Sequence, residues 1–166
     1  MSVYQESGIE LDLSATPQHE KHDTINTVLG GVDFQIIEPT GQLWLEMKSW
    51  SPNVIPTHRR GGQRRSYLSK MRSGKFGREL REKFLGTCTF LTLTGAPPAA
   101  PILYVLLLES TPADSALRSH MMTRMRSMLP RSGSRARAWM HTIEVVVVDT
   151  TEWNARFPSY PARLLP

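Results

Sequence analysis

VDFQIIEPTGQLWLEMKSW, residues 32–50, decides how this chain reads. Two short apolar-rich runs flank Pro39, Thr40, Gly41 and Gln42, and turn residues set between such runs mark a β-hairpin. Side chains along a strand alternate between faces, so Trp44, Glu46, Lys48 and Trp50 share one face while Leu43, Leu45, Met47 and Ser49 share the other. Pairing Glu38 with Leu43 across a four-residue turn sets Asp33 opposite Lys48 and diagonal to Glu46, all on one face. Two carboxylates converging on one point suit a hard divalent cation, Mg²⁺ or alternatively Mn²⁺, that keeps several waters. A lysine beside them can hold an attacking water or stabilise a phosphate oxygen.

At Asp33, Glu46 and Lys48 the chain resembles the PD-(D/E)XK nuclease superfamily, whose signature is an acid at the start of one strand and Glu-x-Lys in the next. The resemblance implies a restriction-endonuclease-like α/β/α sandwich, a central mixed β-sheet flanked by helices, built in the order helix, three-stranded meander, helix, strand. It implies a Mg²⁺-dependent endonuclease that hydrolyses phosphodiesters, with Asp33 and Glu46 as metal ligands and Lys48 orienting the water or the scissile phosphate. Family members often add a carboxylate from the preceding helix, where Glu20 is the nearest candidate. The chain departs from the family at the Pro-Asp pair, because Gly31-Val32 precedes Asp33.

The formal net charge of +5 hides a division along the chain. Residues 1 to 50 carry eight acids and two lysines, a net of −6, whereas nine basic residues lie between Arg59 and Arg81 against one acid, Glu79. A second stretch, Arg118 to Arg137, holds six arginines and no acid. Such clustering is the footprint expected for a polyanion, and Arg59, Arg60, Arg64, Arg65, Lys70, Arg72 and Lys75 are the expected nucleic-acid contacts, with DNA favoured over RNA. The plainer reading of the same charges is a set of solvated helix and loop faces.

With 166 residues and 40% apolar content the chain can bury one substantial core and reads as a single domain. The lone Cys88 cannot form an internal disulfide, which favours a reducing compartment. No signal segment opens the chain, and the runs at Ile102–Leu108 and Ile143–Val148 are too short to span a bilayer, so a soluble, cytoplasmic protein is expected.

The first 14 residues show no clear period and read as an arm. Thr16-Pro17 opens a helix and Leu29-Gly30-Gly31 ends it, placing Glu20 just before the hairpin. Within it His19 and His22 stand three apart, a spacing that is not the zinc signature of two histidines four apart. After Trp50 a loop is expected through Pro56 and His58 to Gly61-Gly62, then a helix with Phe76, Leu80, Phe84, Cys88 and Leu91 on one stripe and Lys83 off it, ending at Gly86 or near Thr94. Residues 102–108 and 143–148 read as buried strands, and Thr111-Pro112 opens a helix striped by Leu117, Met121, Met125 and Met128. Residues 150–166 read as an irregular tail.

Other chemistries find less support. A Gly-x-Ser-x-Gly elbow, a phosphate-cradling Gly-Lys-Ser/Thr loop and a dinucleotide fingerprint are all missing, and Cys88 lies among apolar residues. Trp44 and Trp50 could stack on a base or simply pack. Three functional readings stay open: the metallonuclease, a non-catalytic nucleic-acid-binding or assembly subunit of the same fold, and a structural protein in which Lys48 only pairs with Asp33 and Glu46. A homodimer and a place in a larger nucleoprotein complex are the open assembly states.

Overall fold

A computed structural model describes residues 2–16, 18–22, 30–49, 57–98, 101–109, 115–129 and 142–165, without the side chains of Thr57, Arg60 and Arg64. The hairpin forms as β4 (Phe34–Glu38) and β5 (Gly41–Ser49), but its turn is tighter than expected: Glu38 pairs with Gly41, so Pro39 and Thr40 alone make the connection. Gly41 is required by a close approach. A Cβ there would lie 2.6 Å from the Pro101 carbonyl oxygen, which accepts the Gln42 N–H. The slip relative to expectation is two residues, and because strand faces repeat every two, every side chain stays on its expected face. One step beyond the last pair, Phe34 with Leu45, Asp33 comes opposite Glu46 rather than Lys48.

Around the hairpin runs a five-stranded mixed sheet in the order β3-β4-β5-β6-β7, where β3 is His19–Lys21, β6 Ile102–Glu109 and β7 Ile143–Val148. The first three strands are an antiparallel meander, whereas β5, β6 and β7 are parallel and need crossover helices. Helices α1 (Thr57–Arg72) and α2 (Lys75–Leu93) supply the first crossover, and α3 (Ser115–Met128) lies in the second. They bury Met71, Phe76, Leu80, Phe84, Leu117 and Met121 against Trp44, Tyr104, Leu106 and Val145 on one face of the sheet. No helix among the described residues is long and apolar enough to cross a membrane.

The opposite face departs from a plain layer of helices. It is covered by a second, three-stranded antiparallel sheet in the order β1 (Val3–Glu6), β2 (Ile9–Asp12), β8 (Ala162–Leu164), together with the short α4 (Thr150–Arg156). Ile9, Leu11 and Leu13 alternate inward and meet Phe34, Ile36, Leu45, Met47 and Trp153. The expected arm and irregular tail are therefore both ordered. Asp149 caps α4, accepting the Glu152 N–H at 2.8 Å while the Glu152 carboxylate accepts the Asp149 N–H.

Two further expectations are corrected. The helix from Thr16 is replaced, over His19–Lys21, by β3, which pairs with Phe34–Ile36. A residue period of two explains the change: Lys21 reaches Glu6 at 3.5 Å and lies over the Phe34 ring, His19 meets the Tyr4 hydroxyl at 3.0 Å, and His22 turns the other way to Gln35. Residues 23–29 lie outside the described residues. The loop expected through His58 and Gly61-Gly62 is instead the first part of α1, whose inward residues Tyr67, Leu68 and Met71 hold it to the core further along.

Candidate active site

The polar side of the hairpin is built on strand geometry and closed by one helix. Val32 N–H donates to Thr87 Oγ1 at 2.9 Å, and that hydroxyl donates to the Lys83 carbonyl oxygen, so α2 is tied to the chain one residue before Asp33. Asp33, 2% exposed, then accepts the Met47 N–H on Oδ2 at 2.7 Å. This fixes one carboxylate oxygen and leaves the other, Oδ1, aimed at the space in front of Glu46.

Glu46 is fully buried, with Oε1 2.6 Å from Lys48 Nζ and 2.5 Å from Lys83 Nζ. Lys83 Nζ also lies 3.0 Å from Asp33 Oδ1, so its ammonium sits where the two carboxylates converge. Lys48 Nζ stands 4.0 Å from Asp33 Oδ2. Glu46 Oε2 is buried and has no hydrogen-bond partner among the described residues. With both acids ionised, these two carboxylates and two ammoniums sum to zero charge.

The surroundings shape the protonation of the cluster. Burial first and the Asp33 charge second push the Glu46 carboxyl up to about 7, against the pull of Lys48 and Lys83. Burial opposes the Lys83 charge as well, but Glu46 and Asp33 outweigh it and hold the ammonium's pKa above the ordinary lysine value. Tyr104, buried beneath the cluster and donating to the Leu80 carbonyl oxygen at 3.1 Å, keeps its proton because of its burial and the nearby carboxylates.

Asp33, Glu46 and Lys48 thus come together as the sequence indicated, and Glu20 does not join them. It lies on β3 opposite Gln35, half-exposed, with His22 Nε2 3.9 Å from its carboxylate. A strand puts His19 and His22 on opposite faces, which removes the shared ligand that a helix would have allowed. His22 belongs to a buried polar chain: its Nε2 meets Gln35 Oε1 at 2.8 Å, Gln35 donates to Gln42 Oε1, and Trp44 Nε1–H donates to the same oxygen. Trp44 also packs on Phe84, so it is core and not a stacking platform; Trp50 lies outside the described residues. Cys88 is buried, and burial pushes its thiol up to about 12, which removes it as a nucleophile.

Compared with family models, curated proteins and solved structures, the chain finds no match in any of the three. Among the described residues no group of three or more His, Cys, Asp or Glu is placed to hold a metal. A cation here would take Asp33 and Glu46 as its protein ligands and complete its shell with water or phosphate oxygens, a donor set that fits Mg²⁺ better than zinc.

Lys83 is the residue the sequence reading passed over. It sits three residues after Leu80 and four before Thr87, both buried on α2, and so at the border of the buried stripe rather than away from it. The expected nucleic-acid contacts Arg59, Arg65, Lys70 and Arg72 are exposed on α1, which also carries Arg60 and Arg64, and Lys75 is exposed at the start of α2. Of these, Lys70 is already engaged with Glu79 and lies over the Phe76 ring.

Proposed function

We infer that this protein is a metal-dependent endonuclease of restriction-endonuclease-like fold that hydrolyses phosphodiester bonds, with DNA the favoured substrate. The observation that carries the reading is the convergence of two buried carboxylates, Asp33 Oδ1 and Glu46 Oε1, on one cation-sized point beneath α2. Burying two like charges is costly unless a cation answers them, and a site that accepts that cost is a functional candidate. The element order supports the same reading: an antiparallel meander, crossover helices and a parallel strand, with the acid at the head of the second meander strand and Glu-x-Lys in the third.

In this mechanism Asp33 and Glu46 hold the divalent cation, which when bound lowers the pKa of a water and offsets charge developing on the phosphate. Lys48, partly exposed and in contact with Glu46, orients the attacking water or a non-bridging phosphate oxygen. The exposed basic residues of α1 contact the backbone on either side of the cut. Supercoiled plasmid incubated with Mg²⁺, and again with EDTA, tests this directly. Nicking should require the metal and should disappear in Asp33→Asn, Glu46→Gln and Lys48→Ala; activity that persists in Asp33→Asn or in EDTA would sink the reading.

One observation favours a second reading. Lys83 already neutralises the cluster, as it would in a non-catalytic nucleic-acid-binding or assembly subunit that keeps the fold. That protein would bind nucleic acid with steep salt dependence and would not cleave it, whatever metal is supplied.

A further inference from the structure

The point where Asp33 and Glu46 converge is filled by a side chain of the protein itself. Lys83 Nζ lies 3.0 Å from Asp33 Oδ1 and 2.5 Å from Glu46 Oε1, and these are the oxygens a divalent cation would take. Mg²⁺ binds oxygen at about 2.1 Å and tolerates no neighbour of like charge in its first shell, so the ammonium and the metal cannot share the place. Lys48 does not face this conflict, because it approaches Glu46 while staying 4.0 Å from Asp33.

We propose that Lys83 is a resident counter-cation that must leave the Asp33–Glu46 point before a divalent metal can enter, and that an arriving phosphodiester draws it out, so that metal and nucleic acid load cooperatively. The inference rests on the metal-dependent reading above and says how that site is regulated. Its physical basis is exchange. Empty of metal, Lys83 answers two buried carboxylates. Displaced by metal, it needs a new anion, and a flexible lysine chain that is already 23% exposed can turn toward one. A phosphate bound at the mouth of the site supplies that anion. Each ligand then stabilises the Lys83-out arrangement that the other requires, and by linkage the two affinities rise together by the same factor. Thr87 makes the motion one of the side chain alone, because its bonds to Val32 and to the Lys83 carbonyl hold the helix backbone in place.

The experiment measures Mg²⁺ binding by calorimetry, with and without a short phosphorothioate-linked DNA duplex that resists cleavage. For the wild type the duplex should tighten Mg²⁺ binding roughly tenfold, within the usual range of coupling between two sites. Lys83→Met should bind Mg²⁺ about tenfold more tightly than the wild type without DNA, and should gain little from the duplex. Lys83→Arg keeps a cation in the cleft and should bind Mg²⁺ no more tightly than the wild type. If Lys83→Met does not fold, the comparison of Lys83→Arg with the wild type decides alone: tighter Mg²⁺ binding by Lys83→Arg overturns the proposal. If the wild type binds Mg²⁺ and Lys83→Met binds it equally or more weakly, the proposal fails while the metal-dependent reading stands. If the wild type binds no metal even with DNA, both fall.

Discussion

The two faces of the β4–β5 hairpin are made by the same backbone and differ in almost everything else. One face carries Phe34, Ile36, Leu43, Leu45 and Met47, every one fully or almost fully buried beneath the small sheet. The other carries Asp33, Gln35, Gln42, Trp44 and Glu46, just as buried but bonded side chain to side chain beneath α2. Burial alone therefore does not tell a core from a site. The distinction lies in what burial costs: the apolar face gains free energy as water leaves it, whereas the polar face holds charges that the fold must answer one by one.

Asp33→Asn or Glu46→Gln should lower plasmid cleavage by roughly a hundredfold or more, the scale of losing a group that stabilises transition-state charge. Glu46→Gln should nevertheless melt no lower than the wild type, and higher near neutral pH, since the fold disfavours the Glu46 charge. Scanning calorimetry beside the cleavage assay separates the two effects. On the apolar face the pattern reverses. Leu45→Ala should cost about 2–5 kcal/mol by chemical denaturation, and any loss of cleavage should track the unfolded fraction.

A pH series sharpens the contrast. With its folded-state pKa raised from 4.5 to about 7, Glu46 holds a proton in the folded protein that the unfolded chain has released between those values. The unfolded state binds fewer protons there, so the metal-free protein loses stability from this group as pH rises from 4.5 to 7. Glu46→Gln should flatten that part of the stability profile. Mg²⁺ affinity should run the other way, weakening below about 7 as the proton competes with the metal. The smallest effect belongs to neither face. Gly61 sits mid-helix in α1 with open space around its Cβ position, so Gly61→Ala should stabilise by about 0.5–1 kcal/mol in urea denaturation and leave Mg²⁺ binding unchanged.

How much of this was legible in the residues follows from the periods involved. Asp33, Glu46 and Lys48 fell on one face even though the turn was taken two residues too long, because a slip of two preserves strand parity. The apolar strands at 102–108 and 143–148 were equally plain. The Thr16-Pro17 signature misled because a local helix start weighs less than a strand edge waiting to be paired, and moving Glu20 from helix to strand took it away from the acids. Ile9, Leu11 and Leu13 did alternate, and Asp149 with Glu152 did spell a capping box, yet both signals were short enough to pass as irregular chain. Spacing places Lys83 at the border of the buried stripe of α2 but says nothing of what it meets. Its partners lie 37 and 50 residues away, and only the docking of α2 on the sheet brings them together.

The small sheet has a consequence for synthesis. Its middle strand, β2, is laid between β1 and β8, and Arg163 bonds Glu10 across 153 residues of sequence. On the ribosome the hairpin and the first helices emerge well before β8, leaving one edge of β2 unpaired until residues 162–164 follow. Trimming the chain back to Asn154 should therefore yield a protein that assembles its carboxylate cluster but sticks to itself through the open edge of β2.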